Sequence, residues 1–159
     1  MSGSKGIVVA EDMHVVLATA PVDINGGAVN SDVWSMANHA HASIIIMLGV
    51  TGATATVTIE ECDNFTPSNT TAIAFASYSE LTAAGDTLGA RTAVTSAGFT
   101  SSANNGVFYV IEIDASQLTD GRPNLRVVIG DPSSATLYGV VVLLSGGRYP
   151  QPESATAIA

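Results

Sequence analysis

The chain has 159 residues, 14 acidic and 5 basic, giving a formal charge of −9 on a composition that is 47% hydrophobic and only 12% charged. The cations Lys5, Arg91, Arg122, Arg126 and Arg148 are few and scattered, which excludes the electrostatic footprint of a nucleic-acid binder or of a protein drawn to anionic membranes. The apolar share excludes a disordered chain, and the single cysteine, Cys62, excludes an internal disulfide.

Ala, Gly, Ser and Thr fill 70 of the 159 positions and Lys occurs once, so the surface is covered mainly by small neutral side chains. Such a surface suits packing against other protein. A chain of this length buries roughly 70% of its unfolded surface in a single core, so one domain is expected without metal or disulfide support. The longest apolar runs, 44–48 and 140–144, fall far short of the roughly 20 residues of a membrane helix.

In chain order, residues 1–12 carry no sustained alternation and read as an N-terminal arm. Their short apolar stretch meets Glu11 and Asp12 at once, which breaks the continuous apolar region a signal peptide needs, so synthesis in the cytoplasm is expected. Strands are expected at 13–18 and 33–36, and the continuous apolar run 42–50 reads as a buried strand. Thr51-Gly52 would turn that run by a tight hairpin into 53–60. There, Thr54, Thr56, Thr58 and Glu60 alternate with Ala53, Ala55, Val57 and Ile59 as a threonine comb. Further strands are expected at 71–78, 90–95, 107–114, 125–130 and 136–144, separated by clusters of Gly, Pro and Asn.

One helical turn is expected at 114–118, where Asp114 and Gln117 have the spacing of a capping box. Symmetry about Thr119 would pair Glu112 with Arg126 across neighbouring strands. Residues 145–159 read as a C-terminal arm. The expected fold is an all-β, jelly-roll-like antiparallel β-sandwich over 13–144, flanked by the two arms.

The chain contains no Gly-x-Ser-x-Gly nucleophile elbow and no phosphate-binding loop. Cys62 follows two glutamates, which raise a thiol pKa and make it a poor nucleophile. His39 and His41 are two apart on a strand and could reach one transition metal, but no third ligand is identifiable, so a structural or surface role is the favoured reading. The acidic cluster Glu60, Glu61 and Asp63 lacks calcium-loop spacing, and Glu60 and Glu61 should point to opposite sheet faces. Aromatic residues make up 6% of the chain, thin for a sugar-stacking platform. The sequons at Asn64 and Asn69 read as chance occurrences. No cofactor and no catalytic residue is expected.

Three stretches carry a resemblance. Ser79-Glu-Leu-Thr-Ala-Ala-Gly-Asp, then Phe108-Tyr-Val-Ile-Glu-Ile-Asp-Ala-Ser-Gln-Leu, then Leu143-Leu-Ser-Gly-Gly-Arg-Tyr-Pro-Gln-Pro resemble, in that order, pieces of small structural proteins of tailed-bacteriophage virions. The likeness spans about residues 42–150, and Gly147 stands where that group carries Ala. It implies a non-enzymatic capsid decoration or cement protein on the outer head surface of the virion, a homo-oligomer with a trimer favoured, gripping the major capsid protein. Trp34, Arg148, Tyr149 and Pro150 are the interface candidates. The alternative is a tail or fibre component, a receptor- or carbohydrate-binding sandwich using Trp34 or Tyr149. A hydrolase on a β-sandwich is a third reading.

Overall fold

The computed structural model describes residues 6–80, 87–147 and 156–158. It is an antiparallel β-sandwich of two sheets, with 54% of the described residues in strands and 5% in helices. The described strands are β1 (His14–Ile24), β2 (Val29–Asn30), β3 (Trp34–Ser35), β4 (His39–Thr51), β5 (Thr56–Cys62), β6 (Thr70–Ala72), β7 (Phe75–Glu80), β8 (Thr92–Val94), β9 (Phe99–Thr100), β10 (Phe108–Asp114), β11 (Asn124–Ile129) and β12 (Thr136–Gly147). Sheet 1 runs β1-β12-β4-β10-β7-β8. Sheet 2 runs β2-β11-β5-β6, with β3 also paired to β11 and β9 to β5. Among the described residues no helix is long and apolar enough to cross a membrane.

The core lies between the sheets. Alternate residues of sheet 1, Ile44, Ile46 and Leu48 on β4, Ile111 and Ile113 on β10, and Val140, Val142 and Leu144 on β12, pack in one cluster with Val57 and Ile59 on β5 and Leu125, Val127 and Ile129 on β11. Burying each such side chain contributes about 1.5–3 kcal/mol. The threonine comb has the expected alternation: Ala55, Val57 and Ile59 are buried, while Thr54 and Thr56 are exposed. Glu60 and Glu61 point opposite ways, as their neighbouring strand positions require.

Two expected pairings are corrected. Thr51-Gly52 makes no hairpin, because β4 and β5 belong to different sheets. β4 is already flanked by β12 and β10, so both its edges are occupied and the chain must leave the sheet. Gly52 makes this corner possible: its N–H donates to the Ala135 carbonyl at 2.9 Å, and a Cβ there would collide with that backbone. Glu112 and Arg126 likewise do not pair, because the 3-10 turn Ala115–Gln117 begins a crossing from sheet 1 to sheet 2. Arg126 pairs instead with Glu60 on β5, and Glu112 faces β4.

The run expected at 71–78 is two strands in different sheets, β6 and β7, with Ile73 at the bend donating its N–H to Ile59. The helical turn near 114–118 is present, and the Asp114 N–H donates to Gln117 Oε1 at 2.8 Å. Within the expected N-terminal arm, Val9–Asp12 forms one α-helical turn. Within the expected C-terminal arm, 145–147 prolong β12, and Ala157 returns to the core beside Trp34. Ser35 donates its N–H to the Ala157 carbonyl at 2.8 Å, and Ile158 forms a β-bridge with Trp34.

Candidate functional site

Ordinary antiparallel sheets in sandwiches show one apolar face and one polar face. Sheet 1 carries large apolar side chains on both faces. Cross-strand partners on its outer face form rows, and Leu17, Val141, Ile45, Val110 and Tyr78 lie side by side across five strands. Val15, Leu143, Ser43, Glu112 and Ala76 form the next row, and Gly139, Met47 and Phe108 the row on the other side. Leu17 is 54% exposed, Val15 50% and Met47 41%, so these side chains meet solvent.

At one end of the face the sheet surface dips. Pro21, Met47, Leu137 and Tyr138 surround an almost wholly apolar hollow of about 180 Å³ floored by Gly49 and Gly139. A Cβ on Gly49 would run into the Leu137 side chain, so the absence of a side chain there keeps the hollow open.

At the opposite end lies a polar cluster. His41 bridges two carboxylates of β10, with Nε2 2.6 Å from Glu112 Oε2 and Nδ1 2.7 Å from Asp114 Oδ1. Ser43 donates its hydroxyl to the same Glu112 oxygen at 2.6 Å. Partial burial works against protonation of His41, but the hydrogen bonds and charges of Asp114 and Glu112 outweigh it and raise the pKa. His39 behaves oppositely: burial, reinforced by neighbouring His14, lowers its pKa, and the two rings stack with centroids 5.8 Å apart. His39 and His41 therefore share a strand face but are drawn to different partners, and no described group of three or more His, Cys, Asp or Glu is arranged to hold a metal ion. Both nitrogens of His41 are taken by carboxylates, so neither is left to accept a proton from a nucleophile such as Ser43.

Another set of titratable groups is tied into the body of the protein. Glu61 is 2% exposed, accepts the Thr119 N–H at 2.8 Å, and lies 3.5 Å from Arg122 Nη1. Arg126 holds Glu60 Oε2 through Nε and Nη2 at 2.9 and 2.7 Å. Burial, with help from Glu60 and Asp63, pushes the Cys62 thiol up to about 11, well clear of nucleophilic use at neutral pH.

The interface candidates fare differently. Trp34 is 0% exposed and packs in the core, where Ala157 and Ile158 close over its strand. It is an anchor for the C-terminal segment rather than a surface residue. Arg148, Tyr149 and Pro150 lie outside the described residues.

The outer face escaped the sequence reading. Its signal is the continuity of the runs 44–48 and 140–144, which leaves no polar alternate positions, together with Val15 and Leu17 interleaved among buried Val16 and Ala18. A continuous run reads as burial on both faces, and here one of those faces is not covered by the chain's own described residues. No protein-family model, no curated protein and no solved structure matches this chain.

Proposed function

We propose that this chain is a non-enzymatic structural protein that works by packing against other protein, and that it is a decoration or cement protein of a tailed-bacteriophage capsid. The observation that carries the binding role is the second apolar face of sheet 1, since exposed apolar patches of this extent mark protein contact sites. The assignment to a capsid rests on the resemblance of the segments beginning at Ser79, Phe108 and Leu143. In this reading the jelly-roll-like sandwich sits as a homo-oligomer on the outer head surface of the virion, bound to the major capsid protein. Binding the assembled shell in preference to free subunits stabilises the shell by mass action and needs no reaction.

The test is to purify virions from an infected host, probe for this chain on heads, and compare the heat resistance of heads with and without it. Co-purification with heads and a lower disruption temperature on its removal are expected. Absence from virions, or heads equally resistant without it, overturns the capsid reading. The tail or fibre alternative, a sugar-binding module, has lost its first stacking candidate, because Trp34 is inside the core.

A further inference from the structure

We propose that the outer face of sheet 1 is the surface through which two copies of this chain pair, face to face about a twofold axis; this deepens the protein-binding role above by naming its partner. Size is the first support. Four strand spacings and three residue rows give a centre of roughly 20 Å by 20 Å, apolar but for Ser43 and Glu112, and a rim one residue wide brings the face close to the ~800 Å² that each partner of a stable complex contributes.

Charge is the second. Two copies of a chain at −9 repel one another, so a self-contact must use a face almost free of fixed charge. The outer positions of β1, β12 and β4 supply one: Val15 and Leu17, Leu137 through Leu143, and Ser43 through Met47 include no Lys, Arg, Asp or Glu. Of the described acids beside them, Glu112 and Asp114 are already engaged by His41, and Asp23, the register partner of Leu137 at the edge of the face, accepts the Thr136 N–H at 2.9 Å.

Shape is the third. The face carries both a projecting element, Leu17 and Val15, and a receiving one, the hollow over Gly49 and Gly139. Projection and hollow on one surface are what an isologous contact requires, because each is used once by each copy.

The test is sedimentation velocity on the full chain over a concentration series, at low and moderate salt. A dimer is expected that tightens as salt screens the acidic surfaces. Leu17→Lys combined with Met47→Lys should weaken pairing by at least about 100-fold, because the Leu17 position of each copy meets the hollow beside Met47 of the other and like charges are buried together. Both sites are exposed in the single chain, so circular dichroism should show an unchanged fold. Val50→Lys, an exposed apolar residue at the far end of β4 on the other side of the strand, should leave pairing unchanged. A monomer at all concentrations, a trimer, or a dimer indifferent to the double substitution overturns the proposal. A monomer that still binds heads overturns the self-pairing alone, whereas an intact dimer that ignores heads overturns the capsid reading alone.

Discussion

Ile45 and Ile46 are chemically identical neighbours on β4 whose environments differ only because a strand alternates its faces, so they measure directly what each face of sheet 1 does. Ile46 is fully buried between the sheets, and Ile45 lies half-buried on the outer face among Val141 and Val110. Ile46→Ala removes three buried carbon groups, about 2.4 kcal/mol at ~0.8 per group, and the residual cavity brings the loss to about 3–4 kcal/mol. Against a total stability on the order of 5–15 kcal/mol this is a large fraction, and at about 2–4 °C per kcal/mol it lowers Tm by roughly 10 °C. Ile45→Ala in the isolated chain should cost about 1 kcal/mol or less, because its side chain already meets water. Urea denaturation followed by circular dichroism reads both: the Ile46 variant shifts the midpoint strongly with an unchanged slope, and the Ile45 variant barely moves it at low protein concentration. At high concentration the Ile45 variant should fall further behind the parent, since the parent gains from pairing and the variant gains less. Equal losses at both positions, at every concentration, would refute the assignment of inner and outer faces.

The two strand histidines should tilt the pH dependence of stability in opposite directions. The raised pKa of His41 gives a contribution fully present below 6.5 and lost as pH rises through its folded value, so His41→Gln flattens the decline above neutrality. The lowered pKa of His39 gives the reverse, stability held above 6.5 and lost as pH falls through its folded value, so His39→Gln protects the acidic side; thermal melts across pH 5–9 check both. Cys62 should resist maleimide at pH 8 in the native state and react at the rate of unfolding once urea is added; rapid native labelling would contradict its burial. Arg126→Met and Glu60→Gln should each destabilise, and the double variant should lose less than their sum, with a coupling on the order of 1 kcal/mol for this partly exposed pair.

Sequence reasoning succeeded where the cause of structure is local. The comb of Thr54, Thr56 and Thr58 is a period-2 pattern that the strand simply obeys, and the opposition of Glu60 to Glu61 follows from the same alternation. The turn at Asp114 and Gln117 is a contact over three residues. Reasoning failed where a connection had to choose between staying in a sheet and crossing to the other. Thr51-Gly52 has the composition of a hairpin, and the spacing of Glu112 and Arg126 has the symmetry of one, yet both connections cross. What forces the crossings is that both edges of the departing strand are taken: β4 lies between strands that begin at Phe108 and Thr136, more than fifty residues further on, and β10 lies between β4 and β7. Trp34 was misplaced for a related reason: its cover, Ala157 and Ile158, comes from the far end of the chain.

The position of β12 has a consequence for how the molecule comes into being. This strand lies between β1 and β4, both drawn from the first third of the chain, and it pairs along nearly its whole length with each. Until the segment through Gly147 has been synthesised, β1 and β4 face each other across an empty slot and sheet 1 cannot close. Contacts of such long range place the molecule among slow folders, on the order of milliseconds to seconds. The delay is also a timer: the apolar rows of the outer face, which need Val141 and Leu143 to be continuous, come into existence only once the segment through Leu143 has been made, so chains that stop short of it lack the surface by which longer ones would associate.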